Sequence, residues 1–86
     1  MENKQERIGI IGIIVEGNEV GGDTPLKIQS ILSEFSQNVI ARTGVPVHDL
    51  GISAISVILR GCVEVFSALT GKLGKIKGVS VKSLMK

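Results

Sequence analysis

The sequence predicts an α+β fold in which a four-stranded antiparallel sheet carries two helices on one face. Two observations lead to this class. Short runs of β-branched residues, bounded by turn residues, predict strands. Between those runs, apolar residues recur three or four positions apart, as they do on one face of a helix. The chain has 86 residues, which fits one domain. We therefore expect a single domain over residues 1–86, with residues 1–6 as a flexible N-terminal segment.

The first half of the chain begins with a predicted strand followed by a helix. Ile8–Val15 is apolar and rich in isoleucine, so it is expected to form strand β1. Asp23 or Thr24 before Pro25 fits an N-cap followed by a proline in the first helical turn. Helix α1 should therefore begin there and end near residues 36–38.

The remaining elements follow the same periodicities. Val39–Thr43 predicts a short strand β2, and Gly44–Gly51, with its proline and glycines, predicts a connection. Ile52–Arg60 predicts strand β3. Apolar residues three or four apart over Cys62–Gly74 predict helix α2, and alternation around Val79–Val81 predicts strand β4.

This order, β1-α1-β2-β3-α2-β4, is the split βαβ arrangement called ferredoxin-like. Right-handed crossovers then place both helices on one face of the sheet. They also place β1 and β3, the two most apolar strands, at its centre.

The two central strands are apolar on both of their faces, and helices cover only one. An uncovered Ile or Val forgoes about 1.5–3 kcal/mol of burial, and the hydrophobic content of 43% is high for a small domain. We therefore expect a homodimer or homotetramer that associates through the helix-free face or a sheet edge. The alternative is a monomer with an apolar patch. The residues assigned to the interface are Ile11, Ile13, Val15, Ile55, Val57 and Leu59.

Composition argues against several functional classes. The longest apolar stretch, Ile8–Val15, is much shorter than the ~20 residues of a membrane-spanning helix, and no signal-peptide pattern is seen. The single cysteine, Cys62, excludes an internal disulfide. We expect a cytoplasmic protein without membrane association.

Nucleic acid is a disfavoured partner. The only aromatic residues are Phe35 and Phe66, both on predicted helical faces, whereas RNA-binding sheets of this type stack bases on strand aromatics. The formal net charge is only +2. DNA contact would rest on a diffuse basic patch in the C-terminal half.

Catalysis and metal binding have little support in the sequence. One histidine and one cysteine do not indicate a nucleophile, a base and an orienting group, so we expect neither an enzyme nor a cofactor. His48 and Cys62 from neighbouring subunits could form a metal site, which is kept as an alternative. The simpler interpretation is a loop histidine beside Asp49 and a small apolar residue on α2.

Four segments carry a resemblance to a known family. They are RIGIIGIIVE at 7–16, RTGVP at 42–46, GISAIS at 51–56 and ALTGKLGKIKGVSVKS at 68–83. The chain resembles the family of iron-only hydrogenase system regulators. The resemblance implies an ACT-like ferredoxin fold that associates with copies of itself, in anaerobic bacteria that make an iron-only hydrogenase.

The same domain type resembles the ligand-binding C-terminal domain of nickel-responsive repressors and the ACT domains that bind amino acids between subunits. Two departures separate the chain from those repressors. Only MENKQE precedes β1, where they carry a DNA-binding segment, and ISAISVILR at 52–60 lacks their His-x-His pair.

A ligand site is expected where α1 begins. The β1–α1 connection is longer than the usual 2–6 residues, and long connections are often functional. Through the resemblance, its D-x-P element corresponds to the loop that ACT effectors contact, and Arg42 is the residue chosen to hold a carboxylate. The alternative for the loop is an N-cap with a flexible connection, and the alternative for Arg42 is a surface salt bridge. The assigned ligand-binding residues are Gly21, Gly22, Asp23, Pro25 and Arg42.

The sequence therefore predicts a regulatory, small-molecule-binding homo-oligomer that acts with a protein of the hydrogenase system. A metal-responsive sensor for nickel or iron and a purely structural interaction scaffold are the alternatives.

Overall fold

The structure is a computed structural model, and it describes residues 5–17 and 23–86. The predicted βαββαβ order is confirmed. The elements are β1 (Arg7–Glu16), α1 (Thr24–Glu34), β2 (Val39–Val47), a 3₁₀ turn (His48–Leu50), β3 (Ile52–Gly61), α2 (Val63–Gly74) and β4 (Val79–Met85).

The four strands form one antiparallel sheet in the order β2-β3-β1-β4. Strands β1 and β3 are central, as the sequence predicts. Ile10 of β1 pairs with Ile58 on one side and with Leu84 on the other. The sheet edges are β2 and β4.

Both edge strands are longer than predicted. Strand β2 continues to Val47 through Pro46, which an edge strand tolerates because a proline removes only a hydrogen-bond donor that can face outward. A bulge between Val39 and Ala41 shifts its register. Strand β4 runs to Met85 because it pairs along β1 as far as Gly9.

The core lies between the sheet and the helices. Helix α2 lies over β4 and β3 with α1 beside it, and Lys72 of α2 pairs with Glu34 of α1 at 2.5 Å. The buried apolar residues are Ile11, Ile13, Val15, Ile28, Leu32, Val57, Leu59, Phe66, Leu69 and Leu73.

The predicted oligomer interface is wrong in its residues. The helices cover the face on which five of the six predicted residues are buried, and the sixth, Ile55, packs partly buried against the same core. Those side chains cannot reach a second copy while the helices cover them. The helix-free face is the opposite one. The residues concerned are Ile11, Ile13, Val15, Ile55, Val57 and Leu59.

Gly9 lets helix α2 lie close against β1 on that face. A Cβ atom at Gly9 would overlap the ring of Phe66 and lie 2.6 Å from the backbone oxygen of Leu84. Only a glycine lets the largest buried side chain of α2 close on β1. Within residues 5–17 and 23–86, no helix is long and apolar enough to span a membrane.

Candidate ligand-binding site

A cavity of 220 Å³ lies beside the start of α1, against β1, β2 and β3. It exists because α1 does not cover the edge strand β2, which is mostly exposed along its length. Three of the lining side chains are polar or charged and the others are apolar. The lining residues are Val15, Pro25, Ile28, Gln29, Arg42, Ser53 and Ile55.

Arg42 is positioned by the register of β2. It pairs with Val57, which is buried beneath the helices, and directly opposed residues of paired strands share a face. Its side chain therefore points to the helix side. Arg42 also lines a neighbouring cavity of 180 Å³ along α1, together with Gln29 and Ser33 among others.

The charge of Arg42 is not neutralised within the described part of the chain. The ion pairs there join Arg60 to Glu6 and Lys72 to Glu34, and neither involves Arg42. The salt-bridge alternative for this arginine therefore has no carboxylate partner among residues 5–17 and 23–86. An unpaired guanidinium beside a cavity can accept a carboxylate with two parallel hydrogen bonds.

The start of α1 differs in detail from the prediction. The helix begins at Thr24, so Asp23 takes the N-cap position and Pro25 lies in the first turn. The backbone oxygen of Asp23 accepts a hydrogen bond from the Lys27 amide at 3.0 Å, but its side chain makes no capping hydrogen bond.

Of the five predicted ligand-binding residues, the structure brings two together. Pro25 and Arg42 line the same cavity. Asp23 lines a different and more open hollow, on the side of α1 that faces Ile76. Gly21 and Gly22 lie outside the described residues.

Five of the seven lining residues are not among the ligand-binding residues predicted from the sequence, namely Val15, Ile28, Gln29, Ser53 and Ile55. Gln29 follows Pro25 by four positions, so helical spacing places both on one face of α1 and could have identified it. Val15 and Ile55 are two of the residues predicted for the oligomer interface, and Ile28 belongs to the buried core. Ser53 has no comparable signal in the sequence. Its place beside the cavity follows from the register of the sheet, in which it pairs with Pro46 of β2.

The alternative metal ligands lie far apart. His48 precedes β3 and Cys62 follows it. The strand has ten residues, so at about 3.3 Å per residue the two lie about 30 Å apart. Within the described ranges, no group of three or more His, Cys, Asp or Glu side chains could hold a metal ion.

The fold and topology define an ACT-like domain, with a candidate effector cavity beside its first helix. An ACT domain from the GTP pyrophosphokinase of Chlorobium tepidum superposes with a TM-score of 0.72 at 21% identity, covering 92% of this chain and 86% of that one. A de novo designed protein, Foldit4, gives 0.57 at 19% identity, covering 95% and 97%. Both similarities concern the fold.

The chain belongs to the iron-only hydrogenase system regulator family. The family model, described as "TM1266-like: Iron-only hydrogenase system regulator, putative", matches residues 7–83. The uncharacterized protein TM1266 from Thermotoga maritima is 32% identical, with a TM-score of 0.86 over 94% of this chain and 98% of that one. The resemblance found in the sequence is thereby confirmed. No curated protein sequence matches the chain.

Proposed function

We propose that the chain is a non-catalytic regulatory module of the iron-only hydrogenase system that binds a small carboxylate-bearing effector beside α1. One observation carries the proposal: Pro25 and Arg42 line a single cavity, and Arg42 has no carboxylate partner in the described part of the chain. The family description supports the regulatory context.

The cavity favours a ligand with one anionic end and an apolar body. Arg42 supplies a planar, permanently charged donor, and Gln29 and Ser53 add hydrogen-bonding groups. The remaining lining is apolar apart from these three side chains. At 220 Å³ the cavity is smaller than the ~300–1,000 Å³ of sites for drug-sized ligands, so a metabolite of amino-acid size suits it.

The proposed module acts as a cytoplasmic homo-oligomer. Arg42 lies on an edge strand, so an effector bound there adjoins a surface that a neighbouring copy or a hydrogenase-system protein can contact. The effector regulates only if it binds two assembly geometries with different affinity.

A thermal-shift series tests the effector site. Amino acids and small dicarboxylates are added to the purified protein, and a true ligand at a hundred times its Kd should add about 2.7 kcal/mol of stability. That corresponds to a rise in Tm of about 10 °C or more in a domain of this size. Arg42→Gln should weaken the response at least about tenfold in ligand concentration. Arg60→Gln, the same chemical change on the other face, should leave it unchanged.

Other outcomes overturn the proposal. If nickel, iron or zinc raises Tm and His48→Ala abolishes that rise while carboxylates do nothing, the metal-sensor alternative holds. If neither class of ligand shifts Tm, the protein is a structural scaffold.

A further inference from the structure

The helix-free face of the sheet has an apolar centre. On β1 it presents Ile8, Ile10 and Ile14, which are 50%, 44% and 37% exposed, and no charged side chain between them. Ile58 of β3 and Leu84 of β4, the latter 70% exposed, flank Ile10. An apolar centre with charges toward the margins is the composition of a protein interface.

Gly12 lies in the middle of this face. It pairs with Ser56 and Lys82, and a Cβ atom added there would meet no atom of residues 5–17 and 23–86 within 4 Å. Its φ is not positive. A glycine inside a strand costs about 0.5–1 kcal/mol relative to alanine. Besides bulges and bends, a close approach of a ligand or of another backbone is a common reason for a glycine inside a strand.

We infer that a second copy of this chain packs on the helix-free face, with Gly12 of each copy at the two-fold axis. The inference rests on the self-association within the proposed function and identifies the surface responsible. A two-fold contact uses the same patch on both subunits, and packed sheets align their strands within about 30°. With β1 of the two copies running in opposite directions, Ile10 of each copy lies opposite Ile14 of the other.

The shape of the face suits that arrangement. A shallow cleft of 290 Å³ lies at the end of the face where β1 begins, lined among others by Ile8, Ile10, Ile58 and Leu84. Reversing the second copy about Gly12 brings its Ile14 to this cleft. The two glycines let the backbones approach closely enough for the isoleucines to interdigitate.

The charges favour opposed strand directions. Arg60, which pairs with Glu6 of its own chain, lies beside Ile8 at one end of the face, and Glu16 lies at the other. Opposed strands place the Arg60 end of one copy against the Glu16 end of the other, whereas parallel strands would bring like charges together. Lys82 pairs with Gly12 on the edge strand β4, so the two-fold axis brings Lys82 of both copies to the same edge, where their long side chains can extend into solvent.

The face is large enough for a stable dimer. Four strands about 4.8 Å apart, each up to ten residues long, cover about 600 Å² in projection. The accessible area of a surface with protruding isoleucines is greater than its projection. The total approaches the ~800 Å² per partner of a standard interface.

Sedimentation equilibrium of Gly12→Val tests the inference. The wild-type chain should associate at micromolar concentration. Gly12→Val fits the extended backbone and open space of a single copy but blocks the axis, so it should raise the dissociation constant by about tenfold or more. Leu84→Lys, at an exposed position, should do the same. Gly71→Ala, at a helical glycine with equally open surroundings, is the matched control and should associate like the wild type.

A wild-type chain that is monomeric at micromolar concentration overturns the inference and means that some other partner covers the face. Unchanged association of Gly12→Val and Leu84→Lys also overturns it and assigns assembly to another surface, such as the β2 edge. The thermal response to carboxylates is measured on the same variants. If a variant that no longer associates still shows a rise in Tm with carboxylates, the ligand site is independent of the interface. If the protein associates but no carboxylate raises its Tm, only the ligand proposal is overturned.

Discussion

The two faces of β1 have nearly the same apolar composition but differ in burial. Ile11 and Ile13 are fully buried beneath the helices, whereas Ile10 and Ile14 are 44% and 37% exposed. Within β1, hydrophobicity alone therefore does not distinguish the face that joins the core. The surroundings of its two glycines do distinguish the faces.

Each face of β1 carries one glycine, and the two have different surroundings. Gly9 lies on the helix side, where the Phe66 ring occupies the space that a Cβ would need. Gly12 lies on the other side, where that space is open. Helix α2 brings its phenylalanine against the face that carries Gly9, and a side chain at this position would not fit beneath it.

The largest expected effect comes from filling the first of these spaces. Gly9→Ala places a methyl group against the Phe66 ring and 2.6 Å from the Leu84 backbone oxygen. Because a backbone atom is involved, strand β4 must shift. We expect a loss of about 3 kcal/mol or more in the free energy of unfolding, measured by urea denaturation.

Gly12→Ala is the matched control on the other face. It should leave the unfolding free energy of a single copy unchanged or raise it by a few tenths to about 1 kcal/mol. Equal stability of the two variants would show that Phe66 does not close on β1 in solution.

A pair of isoleucine truncations sharpens the comparison. Ile13→Ala removes a fully buried side chain and should cost about 2–5 kcal/mol at any protein concentration. Ile14→Ala removes a side chain that is 37% exposed in a single copy and that a second copy would bury further. Its cost should be within about 1 kcal/mol in dilute solution and should grow with protein concentration as copies associate.

Urea denaturation at two protein concentrations separates these cases. A cost for Ile14→Ala that is as large as that for Ile13→Ala at high dilution would contradict the assignment of the faces. A cost that does not depend on concentration would argue against association through Ile14.

The order of elements could be predicted from the sequence because apolar residues recur every second position in strands and about every 3.6 positions in helices. The ends of both edge strands were predicted too short. Pro46 is typical of a strand end, although β2 continues through it to Val47. The pattern of β4 does not reveal its end, and only pairing with β1 shows that it continues to Met85. The interface residues were wrong for a related reason. Alternation alone does not orient a strand that is apolar on both sides, and the contact between Gly9 and Phe66 spans distant parts of the chain.

The candidate ligand site was predicted in part. Pro25 and Arg42 were identified through the family resemblance and share a cavity in the structure. Gln29 could have been predicted from helical spacing, because it follows Pro25 by four positions. Ser53 became visible only with the register of β2 against β3.

The smallest expected effect lies at the polar end of the helix-free face. Arg60 donates a hydrogen bond to Glu6 Oε1 at 2.7 Å, and this bond together with its positive charge lowers the pKa of the Glu6 carboxyl below its ordinary value of 4.5. The stabilisation from this pair is therefore complete above pH 4.5 and is lost as the pH falls through the lower pKa of the folded state.

Arg60→Gln should return the Glu6 pKa toward 4.5, which NMR titration of the side-chain carboxyl carbon measures. Both groups are exposed, so the change in unfolding free energy should be smaller than the changes expected for Gly9→Ala and for Ile13→Ala. It should be present at neutral pH and vanish in acid, where Glu6 is protonated in both proteins. Lys72→Gln breaks the other exposed ion pair, between the two helices, and should leave the Glu6 titration unchanged. If the Glu6 pKa is the same in Arg60→Gln as in the wild type, this pair does not form in solution.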